Sequence, residues 1–433
     1  MLRWMKFVGL LAAAIALHGQ SGRSYGPGNA WWNAGQGGVL PWEENYDNPE
    51  GQVSVLNKNG AVRTEHHPFF EALGVNKRAC VTCHQPSNAM SVSAASLQER
   101  WKETAGQDPV FAAVDGSNCP DLPQGEMKSH SLLLERGLIR ISLPWPPAVK
   151  PEFRIEVIRD PTGCNSGPVY GLKSANAAIS VYRRPRMAAN FDSVIAGPEG
   201  MRFMADGREP DLRAQAITAI MVHEQAKAPP SAETLRQIVE FETQIYAAQS
   251  ADIRGGLLNE KDGPPALGPQ NLASGKAGSL AGVLSFDIWK KPKSAPDLGL
   301  QREFRASVAR GSEVFAANCA ACHTAKTTRW MDIGTNSLPA AKETAELPLF
   351  RITCDSGRVI YTQDPGRALI SGKCADVGAI VLQQLRGLAA RAPYFSNGSE
   401  RTLREVVEFY ERRRDIRYAE QEKQDLVNFL RVL

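Results

Sequence analysis

The sequence predicts a mainly α-helical protein of two domains, with a small β-containing insertion in the first domain. The chain has 433 residues, which is too long for one small domain and suits two hydrophobic cores. Apolar residues recur at helical spacing in residues 211–222, 231–248, 402–413 and 420–432. In contrast, β-branched and aliphatic residues are concentrated within residues 129–182.

The helix predicted over residues 231–248 shows the helical pattern clearly. Ser231 is a favourable N-cap residue. Leu235, Ile238 and Phe241 then follow at intervals that place them on one helical face. A helix with one apolar face packs that face against a core, which supports a helical framework.

The insertion at about residues 129–182 has the pattern of β-strands. Residues 154–159 largely alternate polar and apolar side chains, which is the period of a half-buried strand. Residues 160–163, Asp-Pro-Thr-Gly, have the composition of a turn. We therefore expect strands and turns here rather than helices.

Composition along the chain suggests where the domains begin and end. A stretch rich in Gly, Pro and Ser precedes residue 300 and is predicted to cross between the domains. The predicted division is a signal peptide at 1–20, an irregular extension at 21–75, a first domain at 76–250, a crossover linker at 251–300 and a second domain at 301–433.

The N-terminus predicts export to the periplasm. Arg3 and Lys6 precede an apolar run at residues 7–17, the pattern of a secretory signal peptide. A membrane-spanning helix needs about 20 apolar residues, so we expect a protein that is not transmembrane after signal removal. An uncleaved membrane anchor is the alternative. The net charge of +4 includes these two residues, and a nearly neutral mature chain argues against nucleic-acid binding.

The chain contains eight cysteines, of which four lie in two C-x-x-C-H motifs. An even remainder of four in an exported chain indicates disulfides. Proximity in the sequence pairs Cys119 with Cys164. It likewise pairs Cys354 with Cys374, out of three alternative pairings. Free buried thiols are the other interpretation.

The two C-x-x-C-H motifs indicate covalently attached c-type haem. The motif residues are Cys80, Cys83, His84, Cys319, Cys322 and His323. The thiols add across the haem vinyl groups, and the adjacent histidine supplies the proximal iron ligand. A redox-active C-x-x-C pair or half of a zinc site would need no histidine at that position. The sequence therefore predicts two haems, with His84 and His323 as iron ligands.

The second axial position decides what each haem does. No histidine follows His323, and the last methionine, Met331, is too close to His323 to reach the opposite haem face easily. A tyrosine, a lysine or an open position remains for the second haem. The tyrosines in this part of the chain are Tyr361, Tyr394, Tyr410 and Tyr418.

The first haem has more candidate residues on its distal side. The histidines outside the motifs and the signal are His66, His67, His130 and His223. His223 follows a predicted helix and stands beside Glu224, and such a pair could move the proton that heterolytic O–O cleavage requires. A surface histidine at the end of a helix is the alternative interpretation of His223.

Two segments carry a resemblance to bacterial di-haem cytochrome c peroxidases and, more closely, to their MauG-like relatives. The sequence Arg-Gly-Leu-Ala-Ala-Arg-Ala-Pro-Tyr-Phe-Ser-Asn-Gly-Ser at 386–399, with Thr-Leu-Arg-Glu-Val-Val-Glu-Phe-Tyr at 402–410, resembles their C-terminal haem domain. Residues 203–210 resemble the Phe-Trp-Asp-Gly-Arg segment of their N-terminal domain. The resemblance covers roughly residues 75–84, 182–248 and 302–433.

The resemblance implies a fold of two cytochrome-c-like haem domains that face each other. It also implies that the N-terminal haem reacts with hydrogen peroxide and that the C-terminal haem passes electrons to it. By position, Tyr410 is similar to the residue that is Met in the ordinary peroxidases and Tyr in the MauG-like branch. The resemblance therefore implies Tyr410 as the sixth ligand of the second haem.

The chain also departs from the family pattern. The distal glutamate of the family maps near Gln225, which leaves the choice among His223, Glu224 and Gln225 open. The tryptophan that lies between the family's two haems maps to Ala205.

A further departure concerns the calcium site of the family. Its Thr-x-Pro element reads Arg391-Ala392-Pro393 here. Because backbone carbonyl ligands tolerate side-chain changes, the resemblance still allows a calcium ion at this place.

Together these features predict a periplasmic di-haem peroxidase-like oxidoreductase. His84 would hold the peroxide-reactive haem, while His223 or Glu224 would move distal protons. His323 and Tyr410 would hold the electron-relaying haem. The expected partners are hydrogen peroxide and a small redox protein as electron donor, or a protein substrate that is oxidised. The alternatives are a non-enzymatic di-haem electron carrier and a sensor that holds oxygen or another diatomic molecule.

Overall fold

The computed structural model describes residues 31–191, 202–261, 263–275, 286–290, 299–323 and 343–433. The predicted signal peptide at 1–20 and Met331 lie outside these residues, as do parts of the predicted crossover at 251–300. Within the described ranges, none of the helices combines the length and the apolar character needed to cross a membrane.

The helices are distributed along the whole described chain. They are α1 (Cys80–Cys83), α2 (Ala94–Thr104), α3 (Ser131–Arg136), α4 (Leu212–Val222), α5 (Ala232–Gln244), α6 (Pro269–Ala273), α7 (Asp287–Lys290), α8 (Gly299–Asn318), α9 (Ala368–Ser371), α10 (Leu403–Arg414) and α11 (Glu420–Arg431). Short 3-10 helices occur at Pro86–Asn88, Pro109–Phe111, Met127–His130, Cys374–Asp376 and Leu388–Ala390.

The strands form four sheets in the described part of the chain. They are β1 (Val39–Leu40), β2 (Glu43–Asn48), β3 (Gly51–Asn57), β4 (Val62–Arg63), β5 (Ile139–Pro144), β6 (Phe153–Arg159), β7 (Ala178–Arg183), β8 (Ile245–Asp252), β9 (Gly256–Leu257), β10 (Leu349–Cys354) and β11 (Val359–Thr362). The strand orders are β1-β4, β2-β3-β8-β9, β5-β7 and β11-β10-β6.

The prediction of a mainly α-helical fold of two cytochrome-c-like domains is wrong. Among the described residues, helices account for 34% and strands for 18%, and the strands form four sheets. The helix predicted over residues 231–248 ends at Gln244, and the chain continues as β8 because this segment pairs antiparallel with β3. Pairing with a distant strand overrides the local helical pattern, since strand formation depends strongly on context.

The β-rich insertion contains strands, as its sequence pattern predicts, but they do not form a sheet of their own. Strand β5 pairs with β7, whereas β6 pairs with β10, which follows much later in the chain. Both predicted disulfides are confirmed: Cys119 is bonded to Cys164, and Cys354 is bonded to Cys374. Each bridge closes a loop beside these strands and removes conformational freedom from the unfolded chain.

One hydrophobic core surrounds the first C-x-x-C-H motif. Strand β3 contributes Val53 and Val55 to it, and α5 contributes Ile238 and Phe241. Val81, inside the motif itself, is fully buried in the same core. The motif is therefore held by the sheet and by α5 rather than by its own short helix.

A second core positions the other C-x-x-C-H motif. Helix α8 packs against α11, and a Cβ atom added at Gly311 would lie 1.9 Å from the carbonyl oxygen of Asp425. Ser307 Oγ donates to the carboxylate of Asp425 at 2.6 Å, and Arg310 Nε donates to it at 2.7 Å. The close approach at Gly311 and these polar contacts fix α8 against α11. They thereby fix the position of Cys319, which directly follows α8.

Candidate functional site

The first motif presents a histidine whose ring is held in one orientation. Ala89 and Met90 both have positive φ angles, of 54° and 57°, and turn the chain back towards His84. His84 Nδ1 lies 3.1 Å from the carbonyl oxygen of Met90, to which it donates when the ring is neutral. Burial lowers the pKa of His84 to about 4, so the ring is neutral at ordinary pH. Nε2 then carries the lone pair with which a neutral imidazole binds a metal.

The first motif opens onto a cavity. Cys80, Cys83 and His84 line this cavity. Met187 and Phe191 supply apolar surface beside the two thiols and the imidazole. This donor set and its apolar surroundings fit a covalently attached haem.

His223 lines the same cavity and has a fixed ring orientation. Its Nδ1 lies 2.6 Å from a carboxylate oxygen of Asp115, which also forms an ion pair with Arg78. Burial, together with the positive charges of Arg78 and Arg208, lowers the pKa of His223 to about 3. The neutral ring donates from Nδ1 to Asp115, which leaves Nε2 as a proton acceptor.

Glu224 also lines the cavity of the first motif. One of its carboxyl oxygens accepts a hydrogen bond from the backbone N–H of Leu73 at 3.0 Å. The other lies 3.7 Å from the sulfur of Cys80. Burial raises the pKa of Glu224 to about 7. A carboxyl group with this pKa can both hold and release a proton near neutral pH.

Gly74 allows the chain to pass close to Glu224. A Cβ atom added at Gly74 would lie 1.7 Å from the carbonyl oxygen of Glu224. Any other residue would therefore push the two backbone segments apart and displace the carboxyl group from the cavity.

Sequence reasoning missed Asp115, Arg78 and Glu242 as residues of this site. Glu242 lies on α5, is 4% exposed and lines the cavity. Its Oε2 atom has no hydrogen-bond partner among the described residues, and burial raises its pKa to about 8. A signal was available, because Glu242 follows Leu235 and Ile238 at helical spacing on the apolar face.

The other histidines considered for the first haem lie away from this cavity. His130 is fully buried, and its two ring nitrogens lie 2.8 and 2.9 Å from the carbonyl oxygens of Gly116 and Gln124. His67 Nδ1 accepts a hydrogen bond from the backbone N–H of Phe69. His66 is exposed. The positions of these residues suit structural or solvent-facing roles.

The second motif follows directly after α8. Cys319, Cys322 and His323 line a second cavity. The backbone N–H of His323 donates to the carbonyl oxygen of Cys319 at 2.9 Å, which closes the motif into a helical turn. Burial lowers the pKa of His323 to about 4, so this ring is also neutral. The residues again fit a covalently attached haem.

Four tyrosines line the second cavity, and Tyr410 on α10 is closely associated with His323. Their ring centroids lie 6.3 Å apart, and the ring planes are nearly perpendicular at 88°. Burial raises the pKa of Tyr410 to about 12. The hydroxyl of Tyr394 instead donates to the carbonyl oxygen of Leu388 at 3.0 Å. Tyr361 is 60% exposed.

The carbonyl of Arg391, which the resemblance offers to calcium, does not suit that ion. The carbonyl oxygen of Arg391 accepts a hydrogen bond from the guanidinium group of Arg184 at 2.8 Å. The next carbonyl oxygen, that of Ala392, accepts from the backbone N–H of Ala94. A positive charge this close would repel a divalent cation. Moreover, no cluster of three or more His, Cys, Asp or Glu side chains suited to a metal occurs in the described ranges.

Comparisons with known proteins give a limited similarity. No protein-family model matches the chain. The chain is 29% identical over 174 residues to the cytochrome-c peroxidase IdrP1 of Denitromonas iodatirespirans. The match covers 34% of this chain and 44% of that protein, so the chain spans less than half the length of this relative. The similarity supports a distant relationship to di-haem peroxidases and does not distinguish a MauG-like branch.

Proposed function

We propose that the protein is a periplasmic di-haem c-type oxidoreductase that reduces hydrogen peroxide at the haem held by Cys80, Cys83 and His84. One observation carries the proposal. His223 and Glu224 line the same cavity as the first motif. The imidazole of His223 is oriented by the carboxylate of Asp115, and the carboxyl group of Glu224 has a pKa of about 7. The similarity to a cytochrome-c peroxidase supports the same chemistry.

The protein side chains have distinct tasks in this reaction. Each peroxide takes up two electrons and two protons and yields two water molecules. Bound haem supplies the electron-transfer chemistry at the O–O bond. Asp115 keeps the Nε2 atom of His223 available to accept a proton from the peroxide. Glu224, whose pKa is about 7, can return a proton to the departing oxygen.

The second haem would relay electrons in this proposal. His323 and Tyr410 line its cavity from the motif and from α10. Tyr410 as sixth ligand is the trait that would place the protein with the MauG-like enzymes. The electrons would come from a small cytochrome, a cupredoxin or a protein side chain that is itself oxidised.

The test combines haem content with peroxide turnover. Haem staining of denaturing gels and intact mass should give two covalent haems for the wild type. Turnover with a panel of electron donors should require peroxide. His223→Ala and Glu224→Gln should each lower kcat/KM for peroxide on the order of 100-fold, the usual contribution of a general acid or base.

His66→Ala is the matched control, because His66 is exposed and lies outside the cavity lining. It should turn over peroxide as the wild type does. A wild-type protein with two haems, a purely low-spin spectrum and no peroxide turnover would instead be an electron carrier. Unchanged turnover in both cavity variants would remove His223 and Glu224 from the mechanism.

A further inference from the structure

The two cavities share a boundary. Both are lined by residues 381–384, together with Arg186 and Arg391. We call these residues the inter-cavity seam. The seam brings two guanidinium groups between the two C-x-x-C-H motifs, although the residues are far apart in the sequence.

Neither of these arginines has a carboxylate partner among the described residues. Arg391 is 4% exposed, and its Nε donates to the carbonyl oxygen of Arg386 at 3.0 Å. Its other hydrogen bond goes to the carbonyl oxygen of Gln384. Arg186 donates to the carbonyl oxygens of Val381 and Leu382, and its buried Nε has no hydrogen-bond partner in the described part of the chain.

A neighbouring arginine shows that this region can supply counter-charges. Arg183 is also buried, and it forms ion pairs with Asp206 at 2.5 Å and with Asp364 at 2.6 Å. Burying a guanidinium group that has only carbonyl partners costs free energy of folding, because its charge is removed from water and no negative charge lies beside it. Burial accordingly lowers the pKa of Arg186 and of Arg391 to about 10. An anion that enters from the cavities would offset this cost.

We propose that Arg186 and Arg391 form a shared anion site that binds the propionate carboxylates of the haems on both sides of the seam. The inference rests on the proposed function, because each haem brings two carboxylates into its cavity. Guanidinium groups recognise carboxylates through charge-assisted hydrogen bonds, and the buried Nε of Arg186 is a donor without a partner in the described part of the chain. A positive charge at the seam favours the reduced state of iron, so it raises the reduction potentials of both haems together.

The test measures reduction potentials in the purified holoprotein by spectroelectrochemistry. Arg186→Met and Arg391→Met should each lower the equilibrium constant for reduction of both haems about tenfold. That change corresponds to about 59 mV for a one-electron couple. The propionate-bending bands in the resonance Raman spectrum should shift in the same variants. Arg186→Lys, which keeps the charge but not the paired hydrogen bonds, should retain the potentials and still shift the bands.

Arg386→Met is the matched control. Arg386 is 5% exposed, has no ion-pair partner among the described residues and lines neither cavity. Its removal should leave the propionate bands in place and change the potentials less. Two covalent haems with unchanged bands and potentials in both seam variants would overturn this proposal alone. Absence of covalent haem from the wild type would overturn it together with the proposed function.

Discussion

Burial controls the protonation state of the titratable side chains around both C-x-x-C-H motifs. It lowers the pKa values of His84 and His323 to about 4, which keeps both imidazoles in the neutral form that binds metals. It raises the pKa values of Glu224 and Glu242 to about 7 and about 8. The first cavity therefore places the neutral imidazole of His84 beside carboxyl groups that can carry protons at physiological pH.

Tyr410 can be tested as the sixth ligand of the second haem. In Tyr410→Phe, nearly all of the packing surface of the ring remains, but the oxygen that would bind iron is lost. We expect the electron paramagnetic resonance signal of the second haem to change its coordination type, and the folded state to persist. An oxygen ligand stabilises higher oxidation states, so the potential of this haem should rise.

Tyr394→Phe provides the control for this experiment. Tyr394 lines the same cavity, but its hydroxyl is already bonded to the carbonyl oxygen of Leu388. The control should keep the wild-type resonance spectrum. If Tyr410→Phe also keeps it, Tyr410 is a packing residue and not a ligand.

At the scale of elements, ion pairs connect the segment of residues 203–208, which precedes α4, to strand β7 and to the segment after β11. Asp206 pairs with Arg183 at the end of β7 and with Arg208 two residues later. Arg183 pairs in turn with Asp364, which follows β11. Burial alone would raise the pKa of Asp206, but these guanidinium groups outweigh it and hold the pKa below its ordinary value.

This ion-pair network predicts a specific acid dependence of stability. The pKa of Asp206 is lowered in the folded state. Its ionised carboxylate therefore contributes fully to the free energy of unfolding at pH values above the unfolded pKa of about 3.9. The contribution is lost as the pH falls through the lower folded pKa. Asp206→Asn leaves Arg183 and Arg208 partly uncompensated, so it should destabilise the protein by about 3–5 kcal/mol at pH 7. Urea unfolding at pH 7 and pH 3 measures both effects.

Asp355→Asn is the comparison for this measurement, since Asp355 is exposed. It should change stability little at either pH. The difference in the free energy of unfolding between Asp206→Asn and the wild type should become smaller as the pH approaches 3. A difference that stays constant with pH would show that the Asp206 carboxylate does not titrate as the ion pairs require.

At the scale of the whole molecule, long-range pairings bring the two cavities together. Strand β6 lies between the first motif and α4 in the chain but pairs with β10, which follows the second motif. The backbone N–H of Val381 donates to the carbonyl oxygen of Ala205 at 2.8 Å, which joins the seam to the wall of the first cavity. The boundary between the cavities is therefore built from both halves of the chain.

Because the guanidinium group of Arg184 already occupies the Arg391 carbonyl oxygen, the protein should be insensitive to calcium. Removing calcium with a chelator, or adding it at millimolar concentration, should leave the visible spectrum, peroxide turnover and melting temperature of the holoprotein unchanged. Thermal unfolding followed at the haem absorbance provides the measurement. A rise in melting temperature on calcium addition would mean that the Arg391 carbonyl is released from Arg184 and binds the ion.

The sequence by itself determined the features whose chemistry is local. The two C-x-x-C-H motifs, the N-cap Ser231 and the helical phase of α10 and α11 depend on residues that are close neighbours in the chain. The sequence also determined the two disulfides. An even number of cysteines outside the motifs, paired with their nearest neighbours in the sequence, gives both bonds correctly. His223 and Glu224 could be proposed as a pair because they are adjacent.

The tertiary structure decided the features that depend on distant partners. Strand β8 looks helical when its residues are considered locally, and only pairing with β3 makes it a strand. The roles of Asp115 beside His223 and of Arg391 at the seam depend on contacts between separate segments. Hydrogen bonding and charge act through space, whereas periodicity and spacing report only what neighbouring residues in the chain can do.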